Sequence, residues 1–298
     1  MKVLNFGSLN IDYVYPVDHI ILPGETESTG GMNTNCGGKG LNQSIALAKA
    51  GVNVYHAGMI GEEGEFLADK CKENGVNTDY IRKVPGRSGH TIIQVDKKGQ
   101  NCILLFGGAN RQITESFIDE VLDSFDKDDM VLLQNEINMP ETVIEKAYKK
   151  GITIALNPSP FNDGLSKCDL EKVTYFLLNE VEGEQMTGKK DPEKILDTIR
   201  NRYPKAKTVL TLGSAGVYYQ DSSERCHQGI CKVKAVDTTA AGDTFTGYFL
   251  AAVTEGLTPK EALRLASKAS AIAVTRHGAA DSIPEKDEVL RSDLKPEE

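Results

Sequence analysis

Ten residues, Val236-Asp237-Thr238-Thr239-Ala240-Ala241-Gly242-Asp243-Thr244-Phe245, combine what an anion needs with what a proton needs. Ala240, Ala241 and Gly242 leave their backbone N–H groups uncovered, and the amphipathic pattern that begins at Asp243 reads as a helix. A helix N-terminus adds unpaired N–H donors and a positive dipole end. Such a turn binds an anion, most naturally a phosphate. A carboxylate beside that cradle suits phosphoryl transfer to a hydroxyl group, a reaction catalysed mainly by positioning and charge stabilisation. The bland alternative is that Asp243 simply caps the helix that follows.

A second glycine-rich turn, Gly37-Gly38-Lys39-Gly40-Leu41-Asn42-Gln43, leads into another helical pattern. It is not a P-loop, because Asn33 stands where that motif needs glycine and Gly40 where it needs Ser or Thr. Nor is there a dinucleotide fingerprint, since Gly7-Ser8-Leu9-Asn10 lacks G-x-G-x-x-G after the first strand. What remains is a turn that presents backbone amides, Lys39 and Asn42 to a neutral polar ligand, or else a tight turn with a solvated lysine.

Positioning these turns requires a scaffold, and the pattern predicts one. Short apolar runs at Lys2–Gly7, Val54–Ile60, Met130–Leu133, Ile152–Leu156, Tyr175–Leu178 and Thr208–Leu212 read as buried strands. Helix-period segments at 40–50, 62–74, 114–125, 140–149, 192–203, 243–255 and 259–276 alternate with them or follow them. That alternation predicts an α/β fold with a mostly parallel sheet covered by helices. Residues 12–36 and 89–106 break the rhythm and predict a small separate sheet, a lid, with a hairpin of Thr91–Val95 and Cys102–Phe106. The whole of 1–298 is expected to form one domain, with a loose tail at Lys295–Glu298.

Composition narrows the field. The 298 residues carry 40% hydrophobic and 26% charged side chains, ordinary for a globular protein. A formal net charge of −9 argues against nucleic acid as a partner. No apolar run approaches the roughly 18 residues that would span a membrane, and no export signal precedes the first strand, so a cytoplasmic location is expected. The six cysteines (36, 71, 102, 168, 226 and 231) form no C-x-x-C pair and read as free thiols. The five histidines show no ligand spacing, and none is assigned to catalysis.

Two further motifs lie between the glycine-rich turns: Asn179-Glu180-Val181-Glu182, an N-x-x-E pattern, and Thr211-Leu212-Gly213-Ser214-Ala215-Gly216. With Gly37–Gly51 before them and Asp237–Gly247 after, the chain resembles the ribokinase/PfkB family of ATP-dependent carbohydrate kinases essentially from end to end. The resemblance implies a three-layer α/β/α fold with a small β-sheet lid. It further implies Asp243 as the base that deprotonates a sugar hydroxyl, and the turn of Ala240, Ala241, Gly242 and Asp243 as the hole for the transferring phosphoryl group. Asn10, Asp12, Gly38, Lys39, Asn42 and Glu136 would bind the sugar. Asn179 and Glu182 would support a Mg²⁺–phosphate network, Thr211, Gly213, Ser214, Gly216 and Gly242 would follow the ATP, and Ser267 would lie near the adenine. A monovalent cation, K⁺, would be held by Asp237, Thr239, Ala273, Arg276, Gly278 and Ser282.

The activity so implied is ATP-dependent phosphorylation of D-ribose at O5. The alternatives are 2-deoxyribose, fructose or a nucleoside as acceptor, or a non-catalytic sugar sensor. Two departures from the family pattern bear on specificity: Ser267, where many members carry His or Asn, and Asn135, where Leu is common. A lid with apolar residues such as Ile92, Ile103 and Leu105 is expected to pair with a second copy in a homodimer.

Overall fold

The computed structural model describes residues 1–297. The chain begins with β1 (Val3–Phe6), β2 (Asn10–Pro16), β3 (Asn33–Gly37) and α1 (Lys39–Lys49). There follow β4 (Val54–Ile60), α2 (Glu65–Glu73), β5 (Asn77–Lys83) and the hairpin of β6 (Gly89–Val95) with β7 (Asn101–Phe106). Helices and strands then alternate through α3 (Glu115–Leu122), β8 (Met130–Gln134), α4 (Pro140–Lys149) and β9 (Thr153–Asn157). Next come β10 (Tyr175–Asn179), α5 (Glu180–Thr187), α6 (Pro192–Arg202) and β11 (Lys207–Thr211). The chain closes with β12 (Val217–Gln220), β13 (Arg225–Gln228), α7 (Ala241–Thr254), α8 (Pro259–Ala273) and α9 (Lys286–Arg291).

The main sheet runs β13-β12-β11-β10-β9-β8-β1-β4-β5, parallel from β11 to β5 and antiparallel only at β11-β12-β13. Its central strands are apolar on both faces because helices cover both. Alternate residues divide cleanly between two cores. Val3, Leu132, Leu177 and Val209 pack with residues of α1, α7 and α8, whereas Leu4, Phe6, Leu133, Phe176 and Leu210 pack with residues of α3, α4 and α6. Strand order reverses between β1 and β8, which opens a crevice at the carboxyl ends of the strands.

The apolar runs located the central strands but not the rims. β5 is an edge strand with mostly half-buried side chains, and β12 and β13 extend the opposite edge, so neither region shows a continuous apolar run. The short helices α5 and α9 also escaped the periodic pattern. Helix α8 stops at Ala273, three residues before the expected end. The tail is not loose throughout. Glu297 N–H donates to Ile230 O at 2.9 Å and its carbonyl accepts from Gly229 N–H at 3.1 Å, so backbone pairing holds the segment against the strand exit. Glu298 lies outside the described residues.

The expected second sheet is present with the order β3-β2-β6-β7. It begins at Asn10, two residues earlier than the pattern suggested, and β2 pairs with β6 in parallel and with β3 in antiparallel. Because β2 follows β1 after three residues and β3 ends at the turn into α1, this sheet overhangs the crevice.

Candidate active site

Helix α7 begins at Ala241 rather than at Asp243. Its N-cap is Ala240, in the left-handed region at φ 58°, with no side chain capping the first turn. A β-carbon at that φ is strained, and such strain is stored where the surroundings over-determine it. Ala241 N–H is occupied by a turn bond to Thr238 O at 3.2 Å. Among the described residues, Gly242 and Asp243 N–H have no acceptor, and they form the bare donor pair of the turn. The capping alternative for Asp243 fails, since its carboxylate meets no helix N–H.

That carboxylate instead receives two side-chain amides from α1. Asn42 Nδ2 donates to Oδ2 at 3.0 Å, and Gln43 Nε2 donates to Oδ1 at 2.8 Å. Asp243 is only 7% exposed, yet both oxygens are partnered. Glycine makes the approach feasible: a β-carbon at Gly247 would run into Ala46 and the backbone of Leu47, so α7 lies directly on α1. Asn42 Oδ1 is buried and unpartnered among the described residues, an acceptor left open for a hydroxyl donor.

Around this pair the small sheet and the two glycine-rich turns gather the expected polar residues. Asn10 accepts from Asn110 Nδ2 at 2.7 Å. Asp12 accepts from Thr91 Oγ1 at 2.5 Å, and burial pushes its carboxyl up to about 6, against the Thr91 hydrogen bond and with help from the Glu136 charge. Gly37 faces the Asp12 carboxylate so closely that no β-carbon would fit. Gly38, at φ 95°, turns the chain into α1.

Lys39 is the first residue of α1, half-buried rather than solvated. Burial works to lower its pKa, but the charges of Asp243, Glu136 and Glu182 together raise it, so it remains an ammonium among carboxylates. Glu136 is raised chiefly by burial, opposed by Lys39 and by hydrogen bonds from Ser8 and the Lys39 N–H.

A cavity of about 330 Å³ runs from Lys39 and Asp243 past Gly242 to Asn179, Glu182 and Thr211. It opens into a second, more apolar space of about 500 Å³ bounded by Gly213, Ser214, Gly216, Ile230, Ser267 and Val274. All eight residues expected along a nucleotide therefore line one continuous path. Asn179 and Glu182 also form the capping box of α5, each accepting the other's backbone N–H at 2.9 and 3.0 Å. Among the described residues no trio of acidic, His or Cys side chains is arranged to cage a metal. Asn179 and Glu182 bring carbonyl and carboxylate oxygens to the cavity lining, the donor types Mg²⁺ takes directly or through water.

The residues expected around a monovalent cation are partly united. Asp237 Oδ1 accepts from Thr239 N–H at 2.9 Å and Oδ2 from Gly278 N–H at 3.0 Å, joining two loops beside the anion turn. These hydrogen bonds, with the His277 charge, outweigh burial and hold the Asp237 carboxyl below its usual range. Ala273 and Arg276 flank the end of α8, and the buried Ser282 hydroxyl donates to Ala279 O at 2.8 Å. An all-oxygen set of one carboxylate, hydroxyls and carbonyls fits a hard cation.

Several participants escaped the sequence reading: Gln43, Gln134, Asn157, Ser8 and Thr91. One signal was available. The apolar runs of β8, β9 and β10 each end on an amide side chain, Gln134, Asn157 and Asn179, at the sheet's carboxyl edge.

A doubly wound α/β sheet with an anion turn, a two-amide-clamped carboxylate and an adjoining nucleotide-sized cleft defines a phosphotransferase class of architecture. The chain belongs to the pfkB family of carbohydrate kinases, whose family model matches residues 1–286. It is 35% identical to the ribokinase of Bacillus subtilis over 289 residues, covering 95% of this chain and 96% of that protein. It is 31% identical to the deoxyribokinase of Salmonella typhi, covering 95% and 96%. The structure of Arabidopsis thaliana ribokinase complexed with ribose and ATP superposes with a TM-score of 0.84 at 30% identity, covering 97% of each chain.

Proposed function

We propose that this protein transfers the terminal phosphoryl group of ATP to O5 of D-ribose. The observation that carries the reading is the Asp243 carboxylate, clamped by Asn42 and Gln43 and set directly beside the free Gly242 and Asp243 N–H groups. In this reading Asp243 orients the sugar hydroxyl and takes its proton late in a loose transition state. The N–H groups of the turn hold the phosphoryl oxygens, and removal of such a donor typically costs about a hundredfold to a thousandfold in rate. Lys39, which lines the first cavity together with Asp243, offsets charge on the transferring group.

Asn10, Asp12, Gly38, Lys39, Asn42 and Glu136 bind the sugar with both donors and acceptors, which suits a polyol whose every hydroxyl is both. Asn179 and Glu182 would hold a Mg²⁺ ion through its waters, and the ion would supply charge neutralisation for the phosphates. Potassium at Asp237, Thr239, Ala273, Arg276, Gly278 and Ser282 would order the loop that leads into the anion turn. The small sheet acts as a lid, and a second copy covers its outer strand.

Deoxyribose is the second reading, favoured by the likeness to a deoxyribokinase. Asp12 discriminates between them, because a half-buried carboxylate loses a partner when a ring hydroxyl is missing. ADP release over a panel of sugars and nucleosides with Mg²⁺ and K⁺ tests the reading. Ribose is expected to lead by at least about tenfold, or roughly 1.4 kcal/mol; leadership by deoxyribose, fructose or adenosine would overturn the sugar and leave the kinase. Asp243→Asn is expected to lose about a thousandfold in kcat while ATP binding persists. Near-normal turnover in that variant removes the base assignment.

A further inference from the structure

Gln43 is more than a neighbour of Asp243. Its Nε2 donates to Asp243 Oδ1 at 2.8 Å and to Asn157 Oδ1 at 3.2 Å, while its Oε1 accepts from Gln134 Nε2 at 2.7 Å. Gln134 Nε2 donates onward to Asn5 Oδ1 at 3.0 Å. Asn5 Nδ2 donates to Ser44 Oγ and to Gly40 O, each at 2.8 Å. Ser44 Oγ lies 2.8 Å from His56 Nδ1, and His56 Nε2 lies 3.2 Å from Gly7 O.

The direction of every link follows from its ends. Gly7 O can only accept, so the proton of His56 sits on Nε2 and Nδ1 accepts from Ser44. Burial pulls His56 down to about 4, which keeps the ring neutral and preserves that tautomer. Ser44, donating to His56, accepts from Asn5; Asn5 then presents its oxygen to Gln134, and Gln134 its nitrogen to Gln43. Gln43 is left with its nitrogen facing Asp243. Asn157 supports the same orientation, because its own Nδ2 is held by Leu177 O at 2.7 Å and its oxygen is turned to Gln43.

A side-chain amide is nearly symmetric in shape but not in charge. Turned over, Gln43 would set an oxygen against a carboxylate and against Asn157 Oδ1, and an NH₂ against the NH₂ of Gln134. Asn5, Gln43, Ser44 and His56 are wholly buried and Gln134 is 1% exposed, so such a mismatch would be set in a low-dielectric interior, where unpaired polar groups are costly. A buried amide row of this kind replaces apolar packing at some cost, and it ends on the carboxylate beside the anion turn.

We propose that Gln43 is a positioning residue for Asp243, held nitrogen-first by the chain from His56 through Ser44, Asn5 and Gln134, and that it fixes the rotation of the carboxylate plane. The inference rests on the reading of Asp243 as the base. Loss of the donor in Gln43→Met is expected to lower kcat about tenfold to a hundredfold, the scale of a small misplacement of a reacting group. ATP affinity, measured by equilibrium titration, is expected to be unchanged. Gln43→Glu places an acceptor against Asp243 and is expected to be worse at pH 8. Its kcat relative to wild type should then rise as pH falls from 8 to 6, because the introduced carboxyl regains a proton it can donate. The Gln43→Met ratio should stay flat over the same range.

Gln134→Met, one link further out, is expected to show the same kcat-selective loss at smaller amplitude. A Gln43→Met enzyme within twofold of wild type overturns the proposal, as does a flat ratio for Gln43→Glu. Parallel loss of ATP binding in Gln43→Met assigns the residue to packing and overturns it equally. Asp243→Asn, assayed alongside, separates the two readings: if it retains turnover, the base reading falls, whereas an inactive Asp243→Asn with a normal Gln43→Met removes only the positioning role.

Discussion

Asp12 shows how one side chain is tuned by its surroundings. Its carboxyl is raised from 3.8 to about 6 by burial first, with Thr91 opposing and Glu136 adding to the rise. It is therefore ionised above about pH 6 and protonated below. As an acceptor for sugar hydroxyls it works in the ionised form, so kcat/KM for ribose is expected to fall as pH drops through about 6. Asp12→Asn is expected to remove that limb of the profile along with much of the sugar affinity. Stability should move the other way. A carboxyl whose folded pKa lies above its unfolded value contributes stability at low pH that is lost as pH rises through about 6. Thermal melts above pH 7 should therefore show Asp12→Asn more stable than wild type. An unchanged acid limb in that variant would assign the limb to another group.

The decisive element is the pair α1–α7. Each carries half of the catalytic pairing, with Asn42 and Gln43 on one and Asp243 on the other, and Gly247 sets their separation. Gly247→Val would push a branched side chain into Ala46 and the Leu47 backbone. Overpacking of this kind costs about 1–3 kcal/mol. Because Asp243 stands one turn from Gly247 on the same helix, it moves with the displacement. A fall in kcat of about a hundredfold is expected, with a lower melting temperature and a smaller effect on ATP titration. A variant that melts early yet turns over normally would show that α7 can shift without moving its carboxylate.

Across the whole molecule, the least satisfied surface is the outer strand of the small sheet. All six residues of β7 are exposed, including Ile103, Leu104 and Phe106 at 55, 67 and 52%. β7 is also an edge, so one side of its backbone is open to pairing, a combination that natural sheets avoid or cover. The apolar residues divide between two faces: Ile103 and Leu105 lie opposite Ile93 and Thr91, whereas Leu104 and Phe106 lie opposite Ile92 and His90. A second copy paired along β7 would satisfy the open backbone edge and set its own strand's side chains beside these on each face. Light scattering at micromolar concentration is expected to show a dimer for wild type and a monomer for Leu104→Glu/Phe106→Ser, which spares the cleft side. A monomeric wild type would leave this face without its proposed partner.

The amino-acid sequence by itself determined the layered α/β plan, the small extra sheet and the two glycine-rich turns. Apolar strand runs, helical periodicity and glycine spacing are local signals that survive in one dimension. It also named Asp243, Lys39, Asn179 and Glu182, because motif order is likewise linear. Only the tertiary structure decided which partners hold Asp243. Gln43, Gln134, Asn5 and His56 come from α1, β8, β1 and β4, and nothing in their spacing announces a hydrogen-bonded row. The rims β5, β12 and β13 were hidden for a related reason: half-covered strands need no continuous apolar code. Burial, amide direction and the close approach permitted by Gly247 are properties of chain segments brought together, and they become physical facts only after the helices have packed.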